Sequence, residues 1–284
     1  MHAVREGRIH ASGAELFVRR VGGGALGGSV LVAVGGGLGL SHELLRGLES
    51  IASASLEVVN YDPRGVGRSS VGFATARALD VAIDDLDAVR TALGSKRMHV
   101  LGHFWGGLVA ALYAARYPDR TTSLTLVDCA PPTDAELARA MMRKSNRLIE
   151  YQRRGLVPVD LPNLEDNPAE RLLAEWPIYF ADPRHLGART LGGAGFRPEA
   201  ASVMLASLGS FDFRRELARI AAPTLHVATA VPFGYAMADA VALAMSAAPS
   251  RRIMLTTAGH LPFVEDPLPL LAEVADFLAD RRFS

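Results

Sequence analysis

"LGHFWGG", residues 101–107, is the stretch on which the fold turns. The apolar run "MHVLGH" ends in Gly102-His103, and Trp105-Gly106-Gly107 opens a helix-forming stretch that continues to about Tyr117. Glycines at these places let a strand reverse into a helix at close quarters. This is the outline of the G-x-S-x-G elbow, a sharp strand-to-helix turn that lifts a serine hydroxyl clear of the sheet. Here the central position holds Phe104. A phenyl ring cannot attack a carbonyl, so the stretch has the frame of nucleophilic catalysis without its nucleophile.

Outward from this turn the same unit recurs. "SVLVAV" (29–34) runs into "GGGLGLSH" and a helix over about Ser41–Ile51. "LEVVNYD" (56–62) is followed by a glycine-rich loop and a helix near Asp80–Leu93. "SLTLVD" (123–128), "PTLHVAT" (223–229) and "RRIMLT" (251–256) complete the series, with helices predicted near Tyr235–Ala247 and Leu268–Asp280. Short β-rich runs without polar alternation fit strands buried on both faces. Two alternating stretches, Val4–Ile9 and Leu16–Val21 joined by "HASGAE", read as a hairpin. Strands alternating with helices imply a mainly parallel sheet covered on both sides. Residues 131–210 lack strand runs, are punctuated by prolines and carry Met141, Met142, Trp176, Tyr179 and Phe180. They read as a helical cap (131–210) inserted into a core made of 1–130 and 211–284.

Composition narrows the setting. The 284 residues are 49% hydrophobic and 21% charged, with 30 basic and 30 acidic side chains. A neutral chain without a basic stripe gives no reason to expect nucleic acid. One cysteine, Cys129, excludes an internal disulfide and suits a reducing compartment. No apolar run reaches the roughly 18 residues that span a membrane, and "MHAVREGRIHASG" has no signal-peptide h-region. A cytoplasmic protein without a membrane partner is expected, either monomer or homodimer. The histidines show no metal-ligand spacing, so no metal or other cofactor is called for.

Four segments together carry a resemblance. "GGGLGLSH" (35–42) resembles H-G-G-P-G-x-S-H, "YDPRGVGRSS" (61–70) resembles Y-D-x-R-G-x-G-x-S, "GHFWGG" (102–107) resembles G-H-S-W-G-G, and "AGHLPFVEDP" (258–267) resembles G-H-x-x-x-x-E-x-P. In this order and spacing the chain resembles the α/β-hydrolase superfamily, and within it the proline-iminopeptidase-like branch. The resemblance implies an eight-stranded, mainly parallel α/β sheet with helices on both faces and a helical cap. It puts His260 at the catalytic histidine and Phe104 at the nucleophile. It implies an oxyanion hole from the backbone of Trp105 and of Gly36 or Gly37. The family acid normally follows the strand written here "PTLHVAT", but this chain has "TAVPFGY" there and no Asp or Glu between Glu216 and Asp239. In some branches the acid follows the preceding strand, which makes Asp128 a candidate partner for His260. Asp at that position also occurs where the acid lies elsewhere. Gly35 and Leu38 replace the loop's histidine and proline.

Removing the serine from a triad costs about a million-fold in turnover in a protease, so ordinary esterase or peptidase activity is not expected. A serine restored at 104 would meet a histidine without the acid of the usual turn. Neutral imidazole remains a competent base near neutral pH, and a backbone oxyanion hole can hold an enolate or phenolate. Phe104, Trp176, Tyr179 and Phe180 are candidate aromatic walls for substrate. Cys129 reads as a buried structural thiol, and Asp62 with Arg64 as an ion pair inside the glycine-rich loop. These residues point to a non-hydrolytic enzyme acting on a small hydrophobic metabolite by cyclisation, rearrangement, elimination or cofactor-free oxygenation. The alternatives are a pseudoenzyme that binds a small molecule or partner, and an inactivated variant of an esterase or peptidase.

Overall fold

The computed structural model describes residues 2–35, 39–70, 78–163, 166, 168–187, 197–231, 233, 235–245 and 248–280. Eight strands form one sheet: β1 Val4–Ala11, β2 Ala14–Gly22, β3 Ser29–Val34, β4 Leu56–Tyr61, β5 Met98–His103, β6 Thr121–Val127, β7 Thr224–Thr229 and β8 Ser250–Leu255. Their order across the sheet is β1-β2-β4-β3-β5-β6-β7-β8. The β1–β2 hairpin closes at Ser12-Gly13, where Gly13 takes φ +71°, and β2 pairs antiparallel with β4. Strands β3 to β8 are parallel throughout. The central strands β5 and β7 are buried along their whole length, which is why they read as unbroken apolar runs.

Helices α1 (Ala78–Ala92) and α2 (Trp105–Arg116) cover one face. All of Trp105–Ala114 is buried, so α2 is apolar all round and has no polar stripe to expose. The other face is covered by Leu44, Leu45 and Leu48 of His42–Ile51 and by the last helix, Pro267–Ala279. The helix expected over about Ser41–Ile51 is found at His42–Ile51, wound as 3₁₀ turns. Gly47 lies so close to Phe263 that a Cβ there would stand 3.0 Å from its carbonyl oxygen. Between β6 and β7 the described chain is helical, with α3 (Asp134–Arg153), α4 (Pro168–Glu175) and α5 (Pro198–Leu208). Its two crossing segments zip together at Thr133 and Asp212, with Phe213 N–H donating to the Pro132 carbonyl at 2.9 Å. No described helix is long and apolar enough to cross a membrane.

The glycine-rich loop after β4 corrects one expectation. Asp62 does not pair with Arg64. Its Oδ1 accepts the His42 N–H at 2.8 Å and lies 2.7 Å from His42 Nδ1, while Oδ2 accepts the Arg68 N–H at 2.7 Å. The carboxylate is thus saturated by His42, which follows β3, and by the backbone of its own loop. Arg64 turns instead to Asp85 of α1, with contacts of 2.6 and 3.0 Å.

Candidate active site

The chemistry-bearing residues gather at the C-terminal ends of the parallel strands, where open α/β sheets place ligands. After β5 the chain turns through Phe104 at φ +47°, ψ −111° and enters α2. Phe104 N–H donates to the Val127 carbonyl (3.1 Å), and its carbonyl accepts from Leu108 (3.2 Å) and Ala130 (2.9 Å). A Cβ on Gly107 would lie 2.9 Å from Cys129 Sγ, and one on Gly106 would overlap the Val34 carbonyl. These contacts hold a non-glycine residue in a conformation that costs about 1–3 kcal/mol. Asp128, at φ +44°, is the other described non-glycine residue at positive φ.

Asp128 directly follows β6 and His260 follows β8, 132 residues apart in sequence. Asp128 Oδ2 lies 3.0 Å from His260 Nδ1. The carboxylate is fixed by Thr229 at the end of β7, whose N–H donates to Oδ1 at 2.8 Å and whose hydroxyl donates to Oδ2 at 2.5 Å. A carboxylate on Nδ1 leaves the imidazole lone pair on Nε2. His260 is 5% exposed and Asp128 3%. The His260 backbone is also tied down: its N–H donates to the Tyr179 carbonyl at 2.8 Å, and its carbonyl accepts from His103 Nε2 at 2.8 Å. Burial, with a smaller effect of His260, holds His103 well below the usual imidazole range, so it stays neutral.

Three rings close around the imidazole. Phe104 meets it edge-on at 4.9 Å between centroids, Phe233 at 4.7 Å, and Tyr179 at 5.8 Å with a 36° tilt. Phe104 and Phe233 stack on each other at 5.0 Å and 13°. Phe233 comes from "TAVPFGY", the segment after β7, and is 2% exposed. Ala140 of α3 and Met237 pack against these rings. The Phe233 carbonyl accepts from Arg143 Nε of α3.

The chain is similar over residues 29–167 to the model of the alpha/beta hydrolase fold family. The chain has the α/β-hydrolase fold. Its homologues include proline iminopeptidases. That of Heyndrickxia coagulans is 24% identical over 275 residues, covering 89% of this chain and 91% of the relative. That of Clostridioides difficile is 35% identical over 115 residues, covering 40% of this chain and 39% of the relative. The crystal structure of proline iminopeptidase from Mycobacterium smegmatis superposes with a TM-score of 0.74 at 21% identity, over 96% of this chain and 97% of that one.

Within this α/β-hydrolase fold the residues singled out from sequence separate into three groups. His260, Asp128, Phe104 and Tyr179 are brought together. Trp105 opens α2, where its N–H has no intrahelical acceptor, and its ring stands 5.8 Å from Phe104. Trp176 and Phe180 are placed elsewhere: 3% and 0% exposed, they pack into the core beneath the His42–Ile51 face and form no ring contact with His260 or Phe104. In the turn Trp176–Tyr179 only the last ring points to the imidazole. Gly36 and Gly37 lie outside the described residues. Cys129 is buried, and burial pushes its thiol far up, so it carries no thiolate. Sequence reasoning missed Phe233, although the phenylalanine in "TAVPFGY" after β7 was its signal. It also missed the roof of the site. Lys144 Nζ of α3 lies 2.7 Å from Glu175 Oε2, and Arg171 Nε lies 2.5 Å from Glu175 Oε1. Among the described residues no cluster of His, Cys, Asp and Glu is arranged to hold a metal.

Proposed function

We propose that this chain is a non-hydrolytic enzyme in which His260 moves a proton on a small hydrophobic metabolite, in a cytoplasmic setting and with no nucleic-acid or membrane partner. In this reading the family's nucleophile and its usual acid have been replaced by Phe104 and by the Phe233 segment. The observation that carries it is the oriented pair, Asp128 Oδ2 to His260 Nδ1 at 3.0 Å, beside a phenyl ring at the nucleophile position. His260 Nε2 takes a proton from an acidic C–H or O–H. Asp128 stabilises the imidazolium that forms. Negative charge developing on the substrate meets the free N–H at the start of α2, where the helix dipole favours it. With no hydroxyl at residue 104, no acyl-enzyme forms. Elimination, rearrangement and cyclisation need only this proton transfer and a shaped apolar wall.

The test is the ring opening of nitrobenzisoxazole, a planar apolar probe that needs a base and no nucleophile. Its ring C–H proton goes to the base as the N–O bond breaks, giving a coloured nitrile phenolate. Turnover above buffer is expected, with a loss of roughly 10²–10⁴-fold in His260→Ala. Asp128→Asn should act in the same direction but less strongly. The second reading, a binding protein without catalysis, is favoured by the 5% exposure of His260. Wild-type turnover no faster than buffer would establish it.

A further inference from the structure

The described surface of α3 that faces the site is rich in positive charge. Arg143, Lys144 and Arg147 all turn toward it. Arg143 bonds the Phe233 carbonyl, and Arg147 bonds the carbonyls of Ile178 (2.9 Å) and Phe180 (3.0 Å) and the Tyr151 hydroxyl. Lys144 pairs with Glu175, but Glu175 is shared with Arg171, so one carboxylate meets two cations. The other acids facing the site are committed. Asp128 is bound to His260 and Thr229. Glu265 accepts the N–H groups of Gly259 (2.6 Å), Asp182 (2.8 Å) and Ala181 (3.0 Å).

Tyr179 stands between this roof and the base. Its ring is 5.8 Å from His260, and Lys144 Nζ is 5.6 Å from the same ring's centroid. Lys144 is the cation set over this ring. An ammonium only donates, so it cannot take up the phenol's proton, which stays available to a substrate oxygen. We propose that Tyr179 and Lys144 receive a developing phenolate or enolate oxygen, which makes the substrate a phenol or an enolisable carbonyl compound. This rests on reading His260 as the base.

The protons balance. His260 Nε2 removes a proton from the carbon next to the carbonyl, the C–H electron pair becomes the enolate, and the charge collects on oxygen. Tyr179 O–H donates a hydrogen bond to that oxygen and Lys144 supplies the charge. His260 then returns the proton to another carbon or to a departing hydroxyl. Burial raises the Tyr179 phenol above its usual range, so it stays a donor although Lys144 acts the other way. Lys144 stays an ammonium: burial acts against the charge, but Tyr179 and Glu175 outweigh it.

The experiment titrates p-nitrophenol bound to the intact protein and follows the yellow phenolate, with p-nitroanisole as the partner that cannot ionise. The wild type should bind the phenolate about tenfold more tightly than the anisole, the scale of one charge-assisted hydrogen bond. Lys144→Met and Tyr179→Phe should each remove most of that preference. Equal wild-type binding of the two probes, no p-nitrophenol binding, or an unchanged preference in folded Lys144→Met or Tyr179→Phe overturns the proposal. Those outcomes leave the base reading intact if nitrobenzisoxazole turnover still depends on His260. Conversely, a phenolate preference that depends on Lys144, with turnover indifferent to His260→Ala, keeps the oxygen receptor and removes the base.

Discussion

At the C-terminal edge of the sheet, β6 and β8 lead into an ionisable pair, Asp128 and His260, whereas β5 and β7 lead into two stacked rings, Phe104 and Phe233. The two halves touch, since both rings lie edge-on to the imidazole at 4.9 and 4.7 Å. They obey different physics. A buried carboxylate and imidazole persist only with hydrogen-bond partners; they bond each other, Thr229 holds the carboxylate, and His103 and the Tyr179 carbonyl pin the His260 backbone. The rings need only shape, and a change to one leaves the other facing a void. The polar half is therefore a network and the apolar half a packed couple.

The largest effect expected is chemical. With Asp128 already on His260, Phe104→Ser brings a hydroxyl to an oriented base and completes a Ser-His-Asp set in one step. Covalent labelling by a serine-directed fluorophosphonate should rise by about 10³-fold or more, short of the roughly 10⁶-fold of an evolved triad. It should vanish again in Phe104→Ser/His260→Ala. A folded Phe104→Ser protein that stays unlabelled would show that the halves do not share one reaction centre.

The packed couple makes an energetic prediction. Phe233 is 2% exposed, so Phe233→Ala should lower unfolding stability by about 3 kcal/mol. Phe104→Ala should cost less, because the ring is only half-buried. The two losses should miss additivity by about 0.5–1.5 kcal/mol, the worth of a stacked pair. Strict additivity in a denaturant double-mutant cycle would dissolve the couple.

The last effect is a pH slope common to the sheet interior. Burial, with a lesser contribution from nearby arginines, pushes His99 and His226 down to about 4. An unfolded histidine titrates near 6.5. Between those values the unfolded chain takes up protons that the folded chain refuses. Stability is therefore full above about pH 6.5 and falls as the pH drops toward 4. Denaturant midpoints measured across that window should show the fall, and His226→Leu should flatten it. An unchanged slope in His226→Leu would show that His226 does not carry it.

Much of the fold was legible because it is written locally. The run "MHVLGH" followed by Gly106-Gly107 predicts a strand turning sharply into a helix, and β5 and α2 are found there. Positions with wide-ranging partners were not legible. Trp176, Tyr179 and Phe180 look equivalent in sequence, yet only Tyr179 reaches the imidazole while its two neighbours are consumed by the core. Asp62 and Arg64 are two residues apart but point to different elements, because backbone N–H groups saturate the first carboxylate.

The sequence by itself determined the strand and helix series, the elbow frame and the absence of a hydroxyl at residue 104. Each depends on residue type and short-range periodicity, which do not need the rest of the chain. The tertiary structure alone decided that Asp128 meets His260, that Phe233 covers Phe104, and that the cations of α3 face the site. Those contacts depend on the order β5-β6-β7-β8, which sets adjacent in space residues that stand up to 132 positions apart in the chain.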